Sequence, residues 1–562
     1  MSEAFEIRLD APDSSLDELS FAEANPGAVA DWVAALPLAN TNETASQLKI
    51  ATAELALLAA PGVTKFQGLE AVRPVVHYIC SRLDRAQQTS NPATTANDLL
   101  LNLCTGYKAI VLDTLPSTSA DKSGNKDVLP RAIHRLLSDL SRVLLRSLQA
   151  YVAPPQNFWW ELNEVYRLAE TLELTEFKFA DDENTSVRSA TVSAVYLRSL
   201  LLASCKSNQL QQHQIKAVFS ALEHWSAHAM LQADTTDALL LIDLLANHGP
   251  QYAQFSKDPA EARALRTDVL AYEIEAYLKE ISSSITIPET MPTPLLQHLV
   301  EAWSVMKPRT FKRMRSDSVL RVCVGLRAVH YFLSGGVDFA EQLNSAEALL
   351  RREVNPFLDL DYETSNTEAD DPWSQAHDLK TRIPVNPNIE TPEKILLEAA
   401  EPSKEKPNEH FETQVADTSP GGYRLDWQEQ TPPRISVGEL VALREEKDTR
   451  WCVAAVRWIQ THRGVLRMGV ELLAPKAIPI ALRIVQKKGG PTDFARGLLL
   501  PEIKAIKQPA TIVTPKVPFA SGQKVNVQRQ GLHTTAQLLE NQQNTESFNQ
   551  FTFRMLDGYL EN

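Results

Sequence analysis

The sequence lacks the marks of most catalytic, membrane and nucleic-acid-coating proteins. Its 562 residues hold five cysteines, Cys80, Cys104, Cys205, Cys323 and Cys452, and no pair has the spacing of a zinc knuckle or a redox C-x-x-C. A scattered, odd set reads as reduced core thiols of a cytoplasmic protein. Basic charge is in deficit, with 56 Lys+Arg against 70 Asp+Glu and a net charge of −14. That balance argues against non-specific coating of nucleic acid, which needs a basic field, but leaves room for a local basic pocket. No apolar run approaches the roughly 18–20 residues of a membrane span, and the acidic, polar start, MSEAFEIRLDAPDSS, is no secretory signal. The phosphate-loop, dinucleotide-fold and nucleophile-elbow patterns are absent, which lowers nucleotide hydrolysis, hydride transfer and serine hydrolysis as readings.

What is present is ordinary globular composition, 44% hydrophobic and 22% charged, in a chain long enough for about three or four domains. From about 26 to 300 the pattern is helical. Ile133, Leu136, Leu137, Leu140, Leu144 and Leu148 make one apolar stripe. Val192, Val195, Tyr196 and Leu200 make a second, and Ile215, Val218, Phe219, Leu222 and Trp225 a third. Pro154-Pro155, Gly249-Pro250 and the Pro288–Pro294 stretch divide the segments. The expectation is an all-α region over 1–300, either a helical bundle or a solenoid.

Near 309 the character changes. RTFKRMRSD is a basic knot, and VLRVCVGLRAVHYFL (319–333) follows it. Residues 353–379 carry eight acidic residues and no Lys or Arg, the composition of an exposed linker or insertion, with a short helix around 391–400. From Phe411 the period becomes two. Phe411, Thr413 and Val415 lead into Asp417-Thr418-Ser419-Pro420-Gly421-Gly422, and Tyr423, Leu425 and Trp427 lead away. Further strands are read at 437–443, 450–460 and 465–473, the last two joined by a His462-Arg463-Gly464 turn. After Gly489-Gly490-Pro491 come candidate strands at 524–528, 534–539 and 551–556, which complete the first barrel or form a second. The turn at 419–422 reads as type II, with the left-handed angle on Gly421.

Asp417, Ser419 and Gly422 form D-x-S-x-x-G on a strand–turn–strand. With VRW (456–458) and MGVELL (468–473), this part of the chain resembles the PilZ domain, a bacterial cyclic di-GMP receptor module. The resemblance implies a six-stranded β-barrel that clamps the dinucleotide against its outer wall. It implies that Asp417 and Ser419 face the guanine edges and that Gly422 permits close backbone approach. A carboxylate and a hydroxyl suit guanine's N–H donors. The family also has an R-x-x-x-R arm before its first strand, whose guanidiniums grip phosphates bidentately and stack on bases. Here no such arm immediately precedes Asp417. The match is Arg309-Thr310-Phe311-Lys312-Arg313, far upstream but just before a plausible first strand, with Arg315 as a reserve phosphate ligand. Two readings stay open. In one, a single barrel is interrupted after its first strand by an insertion, which loop-closure entropy tolerates; in the other, 309–315 is the cationic tail of a helix or a solvated surface.

The expected architecture is therefore α+β and multidomain: a helical domain over 1–300, a PilZ-like antiparallel barrel over 305–490 with an insertion at about 337–408, and a further small β unit over 491–562. The expected function is a cytoplasmic, non-catalytic cyclic di-GMP effector. Ligand would pin the arm to the barrel wall, and the helical domain would pass the signal to a protein partner. The alternative is a helical adaptor whose barrel binds no nucleotide. No cofactor, metal or membrane span is expected. His224 and His228 could share a helical face, but no third ligand accompanies them. Phe158-Trp159-Trp160 with Tyr166 reads as helix-packing core.

Overall fold

A computed structural model describes residues 9–85, 92–115, 127–257, 259–306, 312–348, 409–427, 435–445, 448–486, 492–529 and 532–556. The chain divides into two compact units, 1–307 and 308–562. The short helix expected around 391–400 and the acidic stretch 353–379 lie outside the described residues.

The first unit is mainly helical. Its helices are α1 (Pro26–Ala34), α2 (Thr41–Leu57), α3 (Gly62–Arg85), α4 (Pro92–Thr114), α5 (Val128–Gln149) and α6 (Phe158–Thr171). A hairpin of β1 (Lys178–Ala180) and β2 (Ser189–Thr191) precedes α7 (Val192–Ser204) and α8 (Gln212–Trp225). The stripes read from the sequence are the buried faces: Ile133, Leu136, Leu137 and Leu140 of α5 and Tyr196 and Leu200 of α7 are at most 1% exposed. Thr191 caps α7, its Oγ accepting from the Ala194 amide at 3.1 Å. Phe158 and Tyr166 are core, and Tyr166 stacks on Tyr196 at 4.0 Å. His224 closes α8 while His228 sits past its end in a 3-10 turn, so the two do not share a helix.

Two features of this unit were not legible in the periodicity. One is a four-stranded antiparallel sheet of β3 (Met230–Gln232), β4 (Leu240–Asp243), β5 (Gln251–Tyr252) and β6 (Ala262–Arg266), followed by α9 (Asp268–Leu278) and α10 (Thr293–Ser304). The other is a buried charge cluster. Arg73 of α3 pairs with Asp139 of α5 at 2.8 Å and with Asp181, just past β1, at 2.7 Å, and His77 lies 3.0 Å from Asp139. The Arg73 guanidinium holds both carboxyls well below the usual range against the opposing effect of burial.

The second unit opens with β7 (Met314–Arg315), β8 (Val319–Val324), α11 (Leu326–Leu333) and α12 (Phe339–Ala348). After the undescribed stretch come β9 (Phe411–Ser419), β10 (Gly422–Trp427), β11 (Leu440–Glu445), β12 (Cys452–His462) and β13 (Val465–Ala474). β8 pairs with β9, β9 with β10, β10 with β13, β13 with β12, β12 with β11 and β11 with β8, every pair antiparallel, so the sheet closes on itself. The barrel is thus interrupted after its first strand, as the insertion reading expected. Residues 314–315 are strand, not a helix tail.

A second closed barrel comprises β14 (Ile478–Ile484), β15 (Ala495–Leu500), β16 (Thr511–Pro515), β17 (Lys524–Arg529), β18 (Leu532–Asn544) and β19 (Phe548–Met555). The C-terminal residues therefore form a barrel of their own. It begins at β14, so the boundary expected at 491 moves upstream: β14 pairs with β15 and β17, not with the first barrel.

Candidate functional site

The hairpin β9–β10 carries the motif, and a bulge aims it. Strict alternation would turn Asp417 inward with Thr413 and Val415. Instead Arg424 pairs with Asp417 while its neighbour Leu425 pairs with Val415, leaving Ala416 as an extra residue in β9. Val415 and Leu425 stay inside, at most 1% exposed, while Asp417, itself only 7% exposed, turns to the outer face beside Arg424.

There it meets the basic segment. Arg315 is in register with Asp417 across the β7–β9 ladder. Arg313 Nη1 donates to Asp417 Oδ1 at 3.0 Å across 104 positions of sequence. Arg424 Nη1 lies 3.0 Å from the other oxygen, Oδ2. The line of charge continues: Arg424 Nε is 3.7 Å from Asp426 Oδ1, and Arg467 Nε of β13 is 3.4 Å from Asp426 Oδ2. Those last two separations are too long for good hydrogen bonds, and Arg424 Nε, Asp426 Oδ1 and Arg467 Nε have no hydrogen-bond partner. The side chains of Arg313, Arg424 and Arg467 are each about one-third exposed, while Lys312 and Arg315 are exposed. An acidic protein thus carries a local basic wall with fixed donor forks, suited to anionic, planar ligands.

Of the residues singled out in the sequence, Arg313, Arg315, Asp417, Ser419 and Gly422 lie together on this wall, and Arg309 lies outside the described residues. Ser419 Oγ donates to the Gly422 carbonyl at 3.3 Å and closes the hairpin. The left-handed angle expected on Gly421 falls on Gly422 instead (φ 154°), where a Cβ would lie 2.0 Å from the Val470 carbonyl oxygen of β13. In this structure Gly422 is needed for strand packing. Arg424, Asp426 and Arg467 were missed by the sequence reading. They are the outward members of the alternations that put Tyr423, Leu425 and Trp427, and Met468 and Val470, on the other face. Their adjacency needed the β10–β13 pairing, which sequence does not state. Trp458 also borders the wall, its indole lying where a Cβ on Gly469 would sit. A separate recess of about 220 Å³, lined in part by Tyr423, Arg444 and Arg450, contains none of the predicted site residues.

A closed six-stranded antiparallel barrel, with a basic arm laid across a hairpin bearing D-x-S-x-x-G, defines a PilZ-type barrel protein. Comparison with known families refines this. The family description "Cyclic-di-GMP receptor FimW, middle PilZ domain" matches residues 239–479, the FimW N-terminal domain matches 27–236, and the FimW C-terminal beta-barrel domain matches 480–556. The chain belongs to the FimW family. The cyclic-di-GMP receptor FimW of Pseudomonas aeruginosa is 31% identical to it, over 98% of this chain and 93% of the relative. No solved structure matches it. Among the described residues, no helix is long and apolar enough to cross a membrane.

Proposed function

We propose that this chain is a non-catalytic cyclic di-GMP receptor that acts in the cytoplasm, with the wall of the first barrel as its site. The observation that carries the reading is the meeting of Arg313 and Asp417 at 3.0 Å, although the arm and the motif are 104 positions apart in sequence. In the ligand complex Arg313, Arg315 and, from the undescribed part of the arm, Arg309 hold phosphates, and Asp417 and Ser419 read guanine N–H groups. Arg424 and Arg467 lie on the same wall within reach of the acceptor-rich guanine edge. The arm is already paired with β9, so ligand phosphate competes with Asp417 for Arg313; binding exchanges one anion for another on a preformed wall. The helical unit then passes the change to a protein partner, which requires that the ligand favour one arrangement of the receptor over another.

Calorimetric titration with cyclic di-GMP, with GTP and cyclic di-AMP as controls, tests the reading. Saturable, selective binding is expected. Arg313→Ala removes a charge-assisted contact of about 1.5–3 kcal/mol, or about one to two decades of affinity, and Asp417→Ala also weakens binding. Absence of heat and of thermal shift would overturn the receptor assignment and leave an adaptor. Unchanged affinity in both variants would overturn the site. Partner capture on the full chain with and without ligand tests the coupling.

A further inference from the structure

The two barrels have one topology. Read round the ring from its first strand, the first barrel runs β8, β9, β10, β13, β12, β11, and the second runs β14, β15, β16, β19, β18, β17. In chain order both are first, second, third, sixth, fifth, fourth, with every neighbour antiparallel. The correspondence lets the ligand wall of the first barrel be located on the second. In the first barrel that wall is made by the second, third and sixth strands, which carry Asp417, Arg424 and Arg467. The equivalent strands of the second barrel are β15, β16 and β19.

On that wall the chemistry is inverted. Where the first barrel sets Asp417 opposite Arg424, the second sets Leu498 opposite Val513. Leu498, Leu500, Val513 and Phe548 are fully buried, yet they do not belong to the interior of their own barrel, which holds Leu499, Ile512 and Phe551. They form one apolar core with Val329 of α11 and with Cys323, Ala442 and Ala455 of the first barrel. Polar contacts ring this core. Ser547 Oγ donates to Glu439 at 2.8 Å, and His330 Nε2 lies 3.2 Å from the Ile480 carbonyl oxygen.

The other two parts of the site are replaced as well. No arm precedes the second barrel, because β13 ends at Ala474 and β14 begins at Ile478. The tight Pro420-Gly421 turn corresponds to the loop 501–510, which contains a 3-10 turn (Lys504–Ile506), and from it Gln508 Nε2 donates to the Leu473 carbonyl of the first barrel at 3.0 Å.

We propose that the C-terminal barrel is a second copy of the PilZ-type barrel whose ligand wall has become an internal docking face for α11 and the far side of the first barrel. It binds no nucleotide, and the nucleotide wall is that of the first barrel. The nucleotide part of this inference rests on the receptor reading above; the docking part does not.

Two measurements on the full chain separate them. In titration with cyclic di-GMP, the Arg313→Ala/Asp417→Ala double variant, checked for folding by thermal melting, is expected to weaken every binding event seen in the parent by at least about tenfold. A binding event that keeps the parent's affinity in the double variant would place a site elsewhere and overturn the inference. If the parent itself binds nothing, the receptor reading fails and the second measurement decides the docking. Leu498→Cys is labelled with a thiol reagent under native conditions and compared with Gln460→Cys, whose position is exposed. The native cysteines are all buried and contribute little background. Labelling at 498 at least 100-fold slower than at 460 supports the docked wall; equal rates overturn it.

Discussion

Asp417 commits both carboxylate oxygens inside the protein, one to Arg313 and one to Arg424. Removing the carboxylate therefore frees two guanidiniums as well as deleting a guanine partner. The effects of Asp417→Ala and Arg313→Ala on affinity should not add, because the residues share one contact. A double-mutant cycle read by calorimetry is expected to show coupling of at least about 0.5 kcal/mol. Gly422 is constrained differently. Gly422→Ala drives a methyl into the Val470 carbonyl, and overpacking of this kind costs about 1–3 kcal/mol. A lowered thermal midpoint with no nucleotide present would show that the glycine of the motif serves the barrel before it serves the ligand.

At the scale of elements, the way Ala416 is accommodated decides which face Asp417 takes. Deleting Ala416 removes the bulge but leaves Val415 opposite Leu425 and Asp417 opposite Arg424 in a regular ladder, so Asp417 should stay on the outer face and the variant should change little in stability or affinity. Circular dichroism melting and titration check the two. In the helical unit, α3, α5 and the segment after β1 are tied by Arg73, Asp139 and Asp181. Arg73→Met removes the nearest cation from two buried carboxylates, a loss of about 3–5 kcal/mol by analogy with broken buried pairs. Because both carboxyls titrate below their unfolded value, their contribution is full above about pH 4 and is lost as pH falls further, which acid melts should show. Much at this scale was legible in the sequence. The stripes of α5, α7 and α8 announced themselves by spacing, and Tyr423, Leu425 and Trp427 by alternation. The bulge at Ala416 and the ion pairs of Arg73 were not legible, because a bulge breaks the period that reveals a strand and a buried arginine resembles a surface one. The arm was legible as a motif but not as a neighbour, since only the strand pairings bring Arg313 to Asp417.

At the scale of the molecule, the C-terminal unit is two barrels with α11 between them. His330 of α11 is buried there against the Ile480 carbonyl, and burial pushes its pKa down to about 4. The unfolded chain takes up a proton near pH 6.5 and the folded one does not. The stability tied to a neutral His330 is therefore full above about pH 6.5 and falls by about 1.4 kcal/mol for each pH unit below it, until the folded group titrates. The melting midpoint of this unit should drop between pH 7 and pH 5, and His330→Gln, which keeps a donor but cannot titrate, should flatten that slope.

The distance in sequence between β8 and β9 also sets an order of events during synthesis. The arm, β8 and α11 leave the ribosome well before any strand that can pair with them, so β8 waits as an open edge. The first barrel cannot close until β13 has emerged, and the apolar wall of the second barrel has nothing to dock on until then. A chain released early would expose an unpaired strand and an apolar helix together, a natural client for a chaperone. A finished chain cut between 349 and 408 would instead keep its halves joined by the ladders that β8 makes with β9 and β11.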